Sequence, residues 1–421
     1  MNSAEQLRIL LMQVHRRALL VGIGGAVACV VAALMAPERF FPAYLVAFLF
    51  WTGISLGALA ISMLHHITGG GWGIPIRRIL ESAASVISLM ALLFLPIAYG
   101  LAKLYSWSDA TVVASDEILQ RKTHYLNTDS FFARAAIYFG IWILATQLLN
   151  GATATSDLAL QQRRQRGLVP GSGLGLILWG LTVTFASVDW AMSLEPHWFS
   201  SMYGVLFMAG QAVSALALSI VVGVWLAESQ TSVAERETTD LSTARLLDLA
   251  NLLLALVMFW SYVSFMQFLI IWSANLPEET PWYLRRSQGG WQFVVLLLMG
   301  LHFLLPILLL LMRQMKCNAP KLLRLAVLLL VMRLVDLSWL VLPTFIPNLT
   351  LRRQISASAH EHWERASSLW DLWPLLVTVP AVGGLWVAIF SWRLSVRRAM
   401  PVYEFSLAQE RRDELAGHAA T

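Results

Sequence analysis

Long uncharged apolar runs, separated by polar segments, repeat along the whole chain. A bilayer core of about 30 Å is crossed by about 20 apolar helical residues. On that ruler the pattern predicts ten transmembrane helices, at residues 18–35, 42–64, 79–102, 130–150, 172–192, 200–227, 247–274, 288–312, 325–346 and 369–392. The expected fold class is all-α, a polytopic membrane protein. On one side of the membrane two connections are long, 103–129 and 347–368.

Composition agrees. Of 421 residues, 57% are hydrophobic and 13% charged, against roughly half and about a quarter in soluble domains. This excludes a soluble enzyme or a disordered scaffold. Cys29 and Cys317 build no CxxC, CxxCH or cluster spacing, so no covalent haem c, iron–sulfur cluster or disulfide is expected on this chain. The N-terminal MNSAEQLRILLMQVHRR lacks a short apolar region with a small-residue cleavage site, so the first apolar run is expected to stay in the membrane.

The net charge of +5 is a matter of topology. The N-terminal tail, the even-numbered loops and the C-terminal tail hold 19 of the 30 Lys and Arg, and the odd-numbered loops hold 9. This bias places both termini in the cytoplasm. Clusters such as Arg163-Arg164-Gln165-Arg166 and Arg397-Arg398 then read as membrane-surface anchors that contact lipid, with no nucleic-acid partner. Trp72, Trp107, Trp198, Trp282 and Trp373, near span ends, fit interfacial belts.

Spans two and six share a pattern, Gly53-Ile-Ser-Leu-Gly-Ala-Leu-Ala-Ile-Ser62 and Gly210-Gln-Ala-Val-Ser-Ala-Leu-Ala-Leu-Ser219. Spans three and seven begin alike, Leu80-Glu81-Ser82-Ala83 and Leu247-Asp248-Leu249-Ala250, and spans five and nine share Val188-Asp189 and Val335-Asp336, each with a proline seven residues on. Three matches in one order suggest two parallel copies of a four-helix unit. The expected organisation is a terminal segment and helix (1–41), a first bundle (42–192), a second bundle with its preceding loop (193–346), an outer loop and helix (347–393), and a tail (394–421). Gly53 and Gly57, on one helix face, are expected to allow close packing.

A carboxylate inside a span costs on the order of 2.5–3.5 kcal/mol, so it is usually paired, water-lined or functional. Glu81 and Asp248 fall near the cytoplasmic ends of spans three and seven, and Asp189 and Asp336 further out in spans five and nine. One reading makes them proton relays on two aqueous half-paths. The other makes Asp336 an ion pair with Arg333, three residues away, and makes Glu81 and Asp248 first-turn acids favoured by the helix dipole. Asp189 opens the densest polar run, through Glu195, His197 and Ser200, which contains no Lys or Arg. It reads as a proton-exchanging loop or as a hairpin capped by Ser200. His65 and His66 end the second span and His302 sits mid-span in the eighth. No two histidines match in depth, so bound haem b is not expected. His302 reads as an interior hydrogen-bonded residue or a relay. His360, Glu361, His362 and Glu364 read as a solvated loop, because no further ligand set stands at defined spacing.

Three segments carry a family resemblance: FWTGISLGALAISMLHHITGGGWG, DWAMSLEPHWFSSMYG and FWSYVSFMQFLIIWSANLPEETPWYLRR. The chain resembles, over nearly its whole length, the smaller of the two NrfD-like (polysulfide-reductase-like) integral subunits of bacterial alternative complex III, a quinol:electron-acceptor oxidoreductase. The resemblance implies two four-helix bundles plus one peripheral helix at each end, in the bacterial cytoplasmic membrane. It implies as partners a larger NrfD-like sister subunit, an iron–sulfur and molybdopterin-enzyme-like subunit, c-type cytochrome subunits and a terminal oxidase. Haem c and iron–sulfur clusters would then sit on those partners, and quinone or quinol is the ligand it allows here. No quinone-binding residue is assigned. Proposed proton paths map onto Asp189, Asp336, Glu81, Asp248, His65 and His66 only where positions match. The expected function is a non-catalytic membrane subunit that conducts protons and anchors the complex. The alternatives are a quinol-oxidising subunit, with Glu195 or His197 taking the proton, and a purely structural anchor. A free-standing transporter would need paired Gly/Pro interruptions, which the sequence does not show.

Overall fold

The computed structural model describes residues 3–153, 158–229, 242–345 and 372–396, and among them there is no strand. Ten helices are long and apolar enough to cross a membrane: span 1 (Glu5–Met35), span 2 (Pro37–Thr68), span 3 (Ile74–Tyr99), span 4 (Thr128–Gly151), span 5 (Val169–Leu194), span 6 (Tyr203–Glu228), span 7 (Thr243–Ala274), span 8 (Trp291–Leu311), span 9 (Ala319–Phe345) and span 10 (Trp373–Val396). The chain is an integral membrane protein with two four-helix bundles, spans 2–5 and 6–9, and one further helix at each end. The face where span 1 starts and span 10 ends is called the N face below, and the other the far face. The loop holding His360 and His362, and the tail holding Arg397, lie outside the described residues.

Span 2 packs on spans 3, 5, 6, 9 and 10, and span 6 packs on spans 2, 3, 5, 7 and 9. Exchanging spans 2–5 for spans 6–9 preserves these pairings apart from span 6 with span 3, which has no counterpart between span 2 and span 7 among the described residues, and the contact of span 2 with span 10. The seam between the bundles is a backbone approach of span 2 to span 6. A Cβ on Gly57 would lie 2.0 Å from the Gln211 carbonyl oxygen, and one on Gly53 would lie 3.3 Å from Gln211 Cγ. Association of helices in lipid relies on such close packing, because lipid tails are as apolar as the helices.

The two end helices pair with each other, which the sequence did not indicate. Span 1 lies along span 10, where a Cβ on Gly22 would come within 2.7 Å of Leu385 N and one on Gly25 within 2.6 Å of Ala381 Cα. His15 Nδ1 meets the Ala388 carbonyl at 2.8 Å. Span 10 rests in turn on span 2, with Trp386 Nε1 donating to Ser55 Oγ at 2.9 Å.

Two spans are irregular. Span 3 is broken into Ile74–Ala84, Ile87–Leu92 and Leu95–Tyr99. Pro96 has no N–H for the ladder, the Ile97 N–H turns to Phe94, and the Leu93 carbonyl accepts the Tyr44 hydroxyl at 2.8 Å. Span 8 widens to a π-helix over Leu298–Leu304, where Leu305 N–H reaches back five residues to Gly300. These breaks occupy spans 3 and 8, which are not equivalent positions in the two bundles.

Candidate functional site

The polar run from Asp189 to Ser200 is not one cluster, because each ionisable group is drawn to a different neighbour. Asp189 is fully buried at the far end of span 5. Arg134 of span 4 grips it at both oxygens, Nε to Oδ2 at 2.8 Å and Nη2 to Oδ1 at 2.9 Å, and the Tyr138 hydroxyl donates to Oδ2 at 2.7 Å. Arg134 is fixed in turn by the Tyr125 carbonyl at 2.9 Å and lies 3.9 Å from the Tyr125 ring centre. Such a bidentate contact fixes the orientation of both side chains.

Glu195 instead binds Arg285 Nη1 at 2.9 Å, Arg286 Nη2 at 2.8 Å and the Thr344 hydroxyl at 2.8 Å. Arg286 is itself buried, donates to the carbonyls of Trp282 and Leu340, and lies 3.6 Å from the Trp282 ring centre. Desolvation by burial pulls the Arg286 guanidinium below its usual range, against the opposing pull of Glu195. This knot ties the loop after span 5 to the loop before span 8 and to the end of span 9. Trp198 stacks on Trp282 with ring centres 4.5 Å apart, and both are buried, as is Trp107 beside Tyr105 and Phe131. These three tryptophans therefore pack loops inward and do not form an interfacial belt. Ser200 donates to Gln267 Oε1 at 3.1 Å and caps no helix, since span 6 begins at Tyr203.

His197 Nε2 lies 2.8 Å from Asp116 Oδ2 in the loop between spans 3 and 4. Asp116 also caps the helix Glu117–Lys122, accepting from Ile118 and Leu119 N–H at 2.9 and 3.2 Å. Partial desolvation raises its pKa, but the Leu119 and Ile118 N–H groups and the His197 imidazole outweigh that and hold it below the usual carboxylate range. A lowered folded pKa stabilises fully above the unfolded value and loses that contribution as pH falls through the folded one. Amide protection over residues 116–122, the exchange rate relative to the intrinsic rate at each pH, is therefore expected to stay flat above about pH 5 and to fall below about pH 4, the unfolded carboxylate range. Hydrogen-exchange mass spectrometry checks this, with the span cores as internal reference.

A second polar cluster lies at mid-depth in the second bundle. Arg333 and Asp336, both buried in span 9, form an ion pair within one helix. The guanidinium fills the space a side chain on Gly210 of span 6 would take, since a Cβ there would lie 2.1 Å from Cζ. Trp260 of span 7 reaches Asp336 without completing a hydrogen bond. Its ring lies against His302 of span 8, with centres 4.0 Å apart. His302 is 1% exposed, and neither of its ring nitrogens has a partner. Trp260 Nε1 and Gln211 Oε1 are also buried without partners.

Toward the N face, Glu81 is buried and paired with Arg77 at 3.0 Å. It stands well inside a helix that begins at Ile74, so it is not a first-turn acid. Asp248 is exposed, and it too lies past the first turn of a helix that Ser242 caps. The two acids thus occupy unlike surroundings despite matching sequence positions. His65 Nε2 meets the Gly70 carbonyl at 3.2 Å, and its ring fills the space beside Gly73, where a Cβ would lie 2.2 Å from Cδ2. Gly69 and Gly70 take φ of 64° and 86°, a turn that other residues rarely adopt. Both nitrogens of His66 are buried without partners, as are the hydroxyls of Ser62, Thr146 and Ser172 on the N-face ends of spans 2, 4 and 5. Among the described residues no three His, Cys, Asp or Glu side chains group as a metal site.

Sequence reasoning missed Arg134, Tyr138, Arg286 and Trp260 as partners of its candidates. Arg134 carried a signal, as one of two basic residues inside a span. Comparison with known proteins adds no assignment: no family model matches the chain, and no curated protein matches it.

Proposed function

We propose that this chain is a membrane subunit of a quinol-oxidising respiratory complex of the alternative complex III type, in which it anchors partners and carries protons part-way through the bilayer. What supports proton transfer is the set of buried polar groups left without partners inside the bundles. An unpartnered buried group costs about 1–3 kcal/mol, and ordered water relieves that cost. His66, Ser62, Thr146 and Ser172 supply such groups near the N face, and His302, Trp260 and Gln211 at mid-depth. Water-linked side chains of this kind are what a proton half-path requires. On this reading the N face is cytoplasmic, the membrane is the bacterial inner membrane, and haem c and iron–sulfur clusters belong to partner subunits, with quinol oxidised beside them.

A structural anchor is the second reading, and one observation favours it. The buried carboxylates of the described spans, Glu81, Asp189 and Asp336, all carry an arginine partner. Purification from native membranes in mild detergent tests the assignment that both readings share. Co-purifying haem c absorbance and an iron–sulfur protein are expected, and a colourless homogeneous preparation would overturn the complex. Proton coupling is then read separately, on the charge-balanced variants argued in the Discussion.

A further inference from the structure

We infer that the second bundle contains a built internal water site at His302, beside Trp260 and the Arg333–Asp336 pair. An imidazole must carry a proton on at least one ring nitrogen, and the other nitrogen is a strong acceptor. His302 offers both groups to a closed interior and finds no protein partner for either. A dry pocket would strand both of these atoms. Water needs two to four polar partners to stay in a protein interior, and spans 7, 8 and 9 bring Trp260, His302 and the Arg333–Asp336 pair together.

The backbone adds a further group. Pro306 follows His302 by four residues and has no N–H. Span 8 meets this by widening to a π-helix across His302, with the Leu305 N–H bonded to Gly300. One carbonyl of the Leu301–His302 turn thereby loses its ladder donor. Such π-turns recur at functional sites, and here the turn carries the one described histidine at mid-depth.

The first bundle shows no such opening at its own acid. Asp189 takes two bonds from Arg134 and one from Tyr138, from the neighbouring span 4. The position matching Arg333 in the duplication is Ala186, which is buried and apolar. In the second bundle the arginine sits on the acid's own helix, which leaves the facing residue of span 8 free to hold water. The inference concerns hydration alone and stands whether or not protons cross the chain.

Water-edited solid-state NMR of the full chain in liposomes, labelled with ¹⁵N-histidine, tests it. The His302 ring signals are assigned by their loss in His302→Phe. Magnetisation is expected to pass from water to both ring nitrogens of His302 as fast as to those of exposed His124. Transfer to His302 no faster than to the backbone of buried apolar residues would overturn the site. Thermal stability gives an independent reading. In a dry pocket His302→Phe removes two stranded nitrogens and raises the melting temperature, which would also overturn the inference. In a hydrated one it deletes partners of the water and lowers it, while Trp260→Phe slows transfer to the nitrogens that remain.

Discussion

Gly57→Ala is expected to drive the two bundles apart and leave little chain that survives detergent extraction as a single folded species. The added methyl would sit 2.0 Å from the Gln211 carbonyl oxygen and 2.5 Å from its carbon, and both are backbone atoms of span 6. No rotamer change relieves that overlap, so the helices themselves must separate. Overpacking a core costs about 1–3 kcal/mol where side chains can yield, and the cost is larger where backbone meets backbone. In lipid nothing offsets the separation, because the association depends on the packing it would remove. Two controls fix the cause. Gly53→Ala meets only the flexible Gln211 side chain at 3.3 Å and should cost much less, and Gly24→Ala, with nothing within 4 Å, should be neutral. Gel filtration and thermal melting in detergent check the series. If Gly57→Ala melts with the parent protein, the seam is not what holds the bundles together.

The seam was legible in the sequence because small residues at fourth positions have one common use in membrane helices. The ten spans were legible for a similar reason, since bilayer thickness fixes the length of an apolar run. Helix ends were less so. Span 3 starts five residues before its apolar run, because Arg77 and Glu81 neutralise each other one turn apart and remain inside the helix. The partners of the acids were legible only where the pair is local. Arg333 and Asp336 are three residues apart and could be read directly, whereas Arg134 meets Asp189 across 55 positions, and only the packing of span 4 on span 5 joins them. The apparent absence of bases near Glu195 was misleading for the same reason, since Arg285 and Arg286 arrive from another loop. Trp107, Trp198 and Trp282 were misread as belts because position along the chain does not reveal which way a ring points.

Asp336→Asn is expected to be the most damaging single substitution of a candidate relay, and the reason separates structure from function. It leaves the Arg333 guanidinium without its counter-charge, in a space bounded by Gly210 and Phe207. Breaking a buried pair from one side costs about 3–5 kcal/mol. Arg333 lies about 20 Å from either end of span 9 at 1.5 Å per residue, too deep to reach the headgroups. Asp189→Asn should be milder, because Arg134 sits near the far end of span 4 with 18% of its side chain exposed and can turn outward. Loss of activity in Asp336→Asn alone would therefore say nothing about protons. The double variant Arg333→Gln, Asp336→Asn buries no net charge and should restore folding and assembly, read as a monodisperse complex with its partners. If the proposed function holds, that complex still oxidises quinol but no longer moves protons across proteoliposomes. Full proton-coupled turnover in the double variant would instead make Arg333 and Asp336 a structural pair. The matching variant Arg134→Gln, Asp189→Asn, in which the acid is already saturated by Arg134 and Tyr138, is expected to keep its coupling.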